Sequence, residues 1–169
     1  MKKITILAAF AALASAQLAS AQTNLQTFYD FGKDRKHATT TLEMFKGDKW
    51  GDTFFFVDYD YAEKNTPSGT YMEIARCFNF WQDSKFKDLS AHVELNAGVN
   101  FGNINWLFGA NYLFHNADYS NTLTLELMFK TFKGSSSDLP LQFTAVWGMQ
   151  DIFDVKGLRF CGFADIWGE

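Results

Sequence analysis

The sequence predicts an all-β chain folded as an antiparallel up-and-down transmembrane β-barrel. Three observations predict it: two-residue alternation along the whole chain, a secretory leader ahead of it, and an excess of aromatic side chains. A strand sends successive side chains to opposite faces, so this alternation gives one oily face and one polar face. From Leu89 to Val99 every second residue is apolar, with Ser90, His92, Glu94, Asn96 and Gly98 between them. Strands of about 9–11 residues, oily outside and polar inside, are what a transmembrane barrel requires.

Nine segments carry the rhythm: Asn24–Gly32, Ala38–Lys46, Thr53–Ala62, Gly69–Phe80, Leu89–Asn100, Ile104–Phe114, Thr122–Phe132, Leu139–Gln150 and Leu158–Trp167. The first stops at the turn residues Gly32-Lys33-Asp34. The second sets Thr39, Thr41 and Glu43 against Leu42 and Met44, and ends at Lys46-Gly47-Asp48. In the third, Phe54, Phe56, Asp58 and Asp60 oppose Phe55, Val57, Tyr59 and Tyr61, before a turn from Lys64 to Gly69. The fourth holds Glu73 and Arg76 on opposite parity. Arg or Lys facing lipid near the midplane costs about 2–4 kcal/mol, so either a bulge re-aims one of them or one lies beyond the bilayer. The fifth is the Leu89 set, closed by Phe101-Gly102-Asn103, and the sixth alternates through Ile104, Trp106, Phe108, Ala110, Tyr112 and Phe114. In the seventh, Leu123, Leu125, Leu127 and Phe129 are backed by Thr122, Thr124, Glu126 and Lys130, a polar set unsuited to a dry sandwich core. A loop from Lys133 to Asp138, with the serines Ser135–Ser137, leads to the eighth, which runs through Leu141, Phe143, Ala145, Trp147 and Met149. The ninth ends beside Glu169.

Short connections make neighbours pair antiparallel as a meander. Bacterial barrels have even strand numbers, and an unpaired edge in lipid leaves backbone groups unsatisfied. Nine segments therefore point to part of a ten- to twelve-stranded barrel, through either a miscounted hairpin or a chain lacking its C-terminal end. Residues 22–169 are expected to form one domain, since no linker or change of composition divides them.

Met1 to Ala21 is expected to be a signal peptide: Lys2 and Lys3 precede the apolar run Ile4–Leu13, and Ala19-Ser20-Ala21 offers a cleavage site. The expected destination is the outer membrane of a double-membraned bacterium. The whole chain has a formal charge of −4, and removing Lys2 and Lys3 makes it −6. That acidity argues against nucleic acid as a partner, which needs a basic footprint. Membrane lipids and a small polar solute are the expected partners of a monomer.

Phe, Trp and Tyr make up 18% of the chain, above ordinary usage, which suits an interface girdle. Trp50, Trp81, Trp106, Trp147 and Trp167 mostly fall near segment ends. Core aromatics of a soluble β-protein are the alternative reading. Cys77 and Cys161 lack a metal signature and read equally as a disulfide or as two packed thiols. His37, His92 and His115 fall in different segments without metal-ligand spacing, so no metal or cofactor is expected, and His92 reads as a hydrogen-bonded filler. No nucleophile elbow surrounds the serines, and no enzyme is expected.

The segment from Asn24 to Phe80 resembles the nucleoside-specific channel-forming outer-membrane proteins, the Tsx-like porins, and their uncharacterised relatives. Thr41-Leu42-Glu43 in TLEMFKGDKW carries the likeness, with Trp50, Phe54, Phe56 and Asp58 in WGDTFFFVDYD and Tyr71-Met72-Glu73-Ile74 and Arg76 in YMEIARCF. The resemblance implies a monomeric barrel of about twelve strands with a narrow lumen that passes nucleosides. This chain is shorter and lacks the aromatic-ended last strand of that family.

The candidate site residues are Phe28, Glu43, Phe54, Phe56, Asp58, Glu73 and Arg76. The rings would stack a nucleobase, and the charged groups would hydrogen-bond ribose and base edges. The bland alternative is that carboxylates and cations pair across the lumen and only hold the wall. A passive channel for small polar solutes is the expected function. The alternatives are a secreted soluble barrel with its faces reversed, and a non-conducting structural barrel.

Overall fold

The computed structural model describes residues 22–31, 36–61, 67–100, 104–131 and 139–168. The expected leader, the turns Gly32-Lys33-Asp34 and Phe101-Gly102-Asn103, the stretch Lys64–Thr66 and the Lys133–Asp138 loop lie outside the described residues.

Among the described residues nine strands form in chain order: β1 (Gln22–Tyr29), β2 (Ala38–Asp48), β3 (Gly51–Tyr61), β4 (Pro67–Phe78), β5 (Leu89–Val99), β6 (Asn105–His115), β7 (Asn121–Lys130), β8 (Leu141–Gln150) and β9 (Arg159–Trp167). Each pairs antiparallel with the next, as expected from the short connections, and the single sheet curls into a half-barrel. Among the described residues β1 pairs only with β2 and β9 only with β8.

The register stacks like with like. Asn24, Glu43, Phe56, Glu73 and Asn96 stand in one row across β1 to β5. On the opposite face Ala110, Leu127, Phe143 and Ile166 form a row across β6 to β9. The polar row belongs to the concave face. Side chains of β4 and β9, five strands apart, come close enough there for Glu73 and Asp165 to sense each other's charge.

Burial is inverted relative to a water-soluble domain. Among the described residues the buried apolar side chains are only Ala75, Cys77, Leu107 and Met128. Thr41, His92, Glu94, Asn96, Asn111, Glu126, Lys130, Gln142 and Thr144 are also buried, whereas Leu127, Phe143 and Ile166 are 58%, 40% and 69% exposed. The core is a layer of polar groups, most of them hydrogen-bonded to one another, with the Asn96 Oδ1 buried and unsatisfied among the described residues.

Two local expectations need correction. The β2–β3 turn is not Lys46-Gly47-Asp48: Gly47 pairs with Asp52 inside the ladder, and the turn is Lys49-Trp50. Two features move it there. The Asp48 carboxylate accepts the Trp50 N–H at 2.8 Å, and Gly51 follows at φ 136°, where a Cβ would lie 2.1 Å from the Cys77 carbonyl oxygen. Between β8 and β9 lies a short 3-10 turn at Ile152–Asp154. Trp167 does not join an outer girdle: it pairs with Gln142 on the concave side, its ring 4.4 Å from the Lys130 Nζ.

Candidate functional site

Six of the seven residues singled out in the sequence share the concave face of β1 to β4. Thr41 donates to Asp58 at 2.5 Å and Thr39 to Asp60 at 2.5 Å, each across the register pair that aligns them. Asn24 Nδ2 donates to Glu43 Oε1 at 3.3 Å, and the Tyr71 hydroxyl to Glu73 at 2.5 Å. The rings form a ledge: Phe54 and Phe56 are 6.0 Å apart between centroids, and Phe56 and Tyr71 are 5.9 Å apart. Phe28, Thr39, Thr41 and Asp58 border a shallow hollow of about 450 Å³ beside this ledge. Tyr71 joins the group, although it had been read only as part of the family-like motif.

Arg76 is the exception. No bulge re-aims it, because the only irregularity in the β3–β4 ladder falls between Asp60 and Tyr61. Arg76 pairs with Thr53 on the convex parity, at the turn end of β4. There its guanidinium donates to Asp48 at 2.9 Å and to Thr53 at 3.0 Å, and lies 5.3 Å from the Phe78 ring. It braces the β2–β3 turn and does not contact the ledge.

A second polar constellation covers β4 to β9, and local sequence spacing did not reveal it. His92 and Glu94 are two apart on β5, and their side chains meet at 2.9 Å. Glu126 on β7 reaches the same spot, so the nitrogen and two carboxylate oxygens all lie within 4.8 Å of one another. The other ring nitrogen of His92 is 3.5 Å from the Cys77 sulfur. Asn111 donates to that sulfur at 3.1 Å and stands opposite Glu126 in the β6–β7 register. Farther along, Lys130 donates to Gln142 at 2.7 Å, Gln142 to Thr144 at 3.1 Å, and Thr144 to Asp165 at 2.5 Å.

The pairing His92-x-Glu94 is legible in the sequence, since residues two apart share a face. Glu126 is not, because only the register of two further strands brings it there. Gly109 is what lets them meet: it stands on the concave face between His92 and Met128 and offers no side chain to fill the gap. Its place is tight as well, because a Cβ would lie 2.0 Å from the Leu127 carbonyl oxygen.

The two cysteines do not form a disulfide. Cys77 is buried on β4, Cys161 is exposed on β9, and both are free thiols. Chemically, the concave face offers many acceptors and few cations, so it suits cations and neutral hydrogen-bonding solutes better than anions.

Comparison with known proteins adds a family but no function. Residues 21–169 match the family described as "Domain of unknown function (DUF5020)". That match carries no link to the Tsx-like porins. No curated protein and no solved structure matches the sequence. With all but its first twenty residues covered by the match, the chain belongs to the DUF5020 family.

Proposed function

We propose that this chain forms the wall of an outer-membrane β-barrel that passes small polar solutes, neutral or cationic, with nucleosides as the first solutes to test. The observation that carries this reading is the inverted burial. Polar and charged side chains are sequestered on the concave face, while the convex face exposes Leu25, Leu42, Ile74, Phe108, Leu127 and Phe143. Soluble monomers rarely expose apolar patches beyond a few hundred Å². Lipid is the solvent that makes such a surface favourable, and a soluble barrel would need the faces the other way round. A sheet open at β1 and β9 could not stay so in lipid, so the reading includes closure of the barrel.

Solute preference follows from charge and shape. Glu43, Asp58, Asp60, Glu73, Glu94, Glu126 and Asp165 share the concave parity with few cations, chiefly Lys130. The ledge of Phe54, Phe56 and Tyr71 beside Asp58 and Glu73 supplies stacking surfaces next to acceptors, worth roughly 1–3 kcal/mol per stacked base. Weak binding is what a conducting site requires.

The test is conductance of the purified protein in planar bilayers. The expected result is a cation-selective current reduced by adenosine, thymidine or uridine. Phe56→Ala and Asp58→Asn should relieve that block more than they change the bare conductance. A current indifferent to all three nucleosides leaves a general pore. Absence of current favours the second reading, a non-conducting barrel, which the densely bonded interior from Lys130 to Asp165 supports.

A further inference from the structure

We propose that His92, Glu94 and Glu126 form a binding site for one divalent transition cation of the Zn²⁺ type on the concave face between β5 and β7. The site is independent of whether the barrel conducts.

Geometry is the first support. Zn–N and Zn–O bonds run about 2.0–2.2 Å, so a tetrahedral ion sets two of its donors about 3.4 Å apart. The three donor atoms already lie within 4.8 Å of one another, and two of them are 2.9 Å apart. Rotamer adjustments that close the widest separation by about 1.4 Å complete the set. Strands lie about 4.8 Å apart, so β5 and β7 are separated by twice that, and long side chains bridge the gap over Gly109.

Second-sphere chemistry is the next support. A metal-bound histidine donates its other ring N–H to a neighbour, which fixes the tautomer. Here Nδ1 faces the Cys77 sulfur at 3.5 Å, so a proton kept there lets Nε2, which donates to Glu94 at 2.9 Å, give up its own proton and turn its lone pair to a cation. Asn111 stands opposite Glu126 in the β6–β7 register, where its amide can orient that ligand in the same way.

Charge is the third. Glu73, Glu94, Glu126 and Asp165 interact with one another across the concave face, and the cations within their reach are Lys130 and, when protonated, His92. A metal-bound imidazole is neutral, so once His92 ligates, four carboxylates against Lys130 leave three formal negative charges, of which one divalent ion offsets two. His92, Glu94 and Glu126 are 4%, 8% and 8% exposed, so water screens this imbalance poorly. An imidazole in the donor set favours Zn²⁺-like ions over Ca²⁺ or Mg²⁺, which take oxygen ligands.

The test uses full-length, processed protein in detergent, stripped with chelator and carrying Cys161→Ser to remove the exposed thiol. Equilibrium dialysis should find one Zn²⁺ per chain, not displaced by a large excess of Ca²⁺. His92→Gln and Glu126→Gln should each weaken binding by about 100-fold or more. Asn111→Ala should weaken it by about 10- to 100-fold, as second-sphere changes do. Heat-modifiable gel mobility reports whether each variant still assembles. X-ray absorption of the Zn²⁺-loaded parent needs no site variant: it should show imidazole and oxygen neighbours and no sulfur at about 2.3 Å. Absence of saturable Zn²⁺ binding overturns the proposal, as does binding unchanged in both assembled ligand variants, displacement by Ca²⁺, or a first shell without imidazole.

Discussion

Replacing Leu127 with arginine asks directly what solvent wets the convex face. Leu127 lies in β7 within the row Ala110, Leu127, Phe143 and Ile166, and is 58% exposed. If water covers that face, an exposed leucine changed to arginine alters stability by no more than about 0.5 kcal/mol. If lipid covers it, the guanidinium costs about 2–4 kcal/mol near the midplane. The leucine's own contribution is lost as well. A fully buried leucine is worth about 1.5–3 kcal/mol, so the lipid-facing part amounts to about 1–2 kcal/mol. The expected destabilisation is therefore about 3–6 kcal/mol, read as the shift in urea unfolding followed by tryptophan fluorescence in phospholipid vesicles. Asp154→Arg, in the exposed β8–β9 connection, is the control and should stay within about 0.5 kcal/mol. A loss below about 1 kcal/mol at Leu127, or a wild-type protein that stays folded and soluble without lipid or detergent, refutes the assignment of faces.

The same unfolding assay should find that Thr144→Val costs about 1.5–3 kcal/mol, because Asp165 loses a charge-assisted bond of 2.5 Å while the side-chain volume is conserved. Gly109→Ala should destabilise by about 1–3 kcal/mol or block assembly, since its Cβ would meet the Leu127 carbonyl oxygen at 2.0 Å; unaltered heat-modifiable mobility and unfolding midpoint would count against the close β6–β7 approach. In the β6–β7 turn, the Ser120 hydroxyl and N–H hold the Asp118 carboxyl below the usual carboxylate range. Its contribution is complete above the unfolded-state value and lost as pH falls through the lower folded value, so amide exchange at Ser120 should quicken only at that acid limit, and Asp118→Asn should abolish the pH dependence. Val93→Asp, on the convex parity, should prevent membrane assembly judged by carbonate washing, whereas its concave neighbour Glu94 should tolerate glutamine.

Period-two patterning made the strands legible without a structure. It placed nine strands in order, and it placed Glu43, Phe54, Phe56, Asp58 and Glu73 on one face, because the parity of a strand depends on nothing beyond its neighbours. Turn positions were less secure. Gly47 reads as a breaker, yet it sits in the ladder opposite Asp52, because the Asp48 carboxylate and the left-handed Gly51 together close a tighter turn two residues later. Arg76 shows the limit of composition: its charge suggested a solute-binding group, while its parity and the nearby Asp48 hold it outside.

What the sequence determined by itself was therefore everything governed by residues close along the chain: strand identity, the two faces, and the antiparallel order imposed by short connections. Only the tertiary structure decided which polar groups meet. Glu126 reaches His92 and Glu94 through the registers of β5 with β6 and β6 with β7, and Trp167 covers Lys130 through that of β8 with β9. A slip of one residue in any of these ladders would flip a strand's side chains to the other face, and no local pattern records the sum of several registers. The cluster of His92, Glu94 and Glu126 and the relay from Lys130 to Asp165 arise from that sum, which is why they appear only in three dimensions.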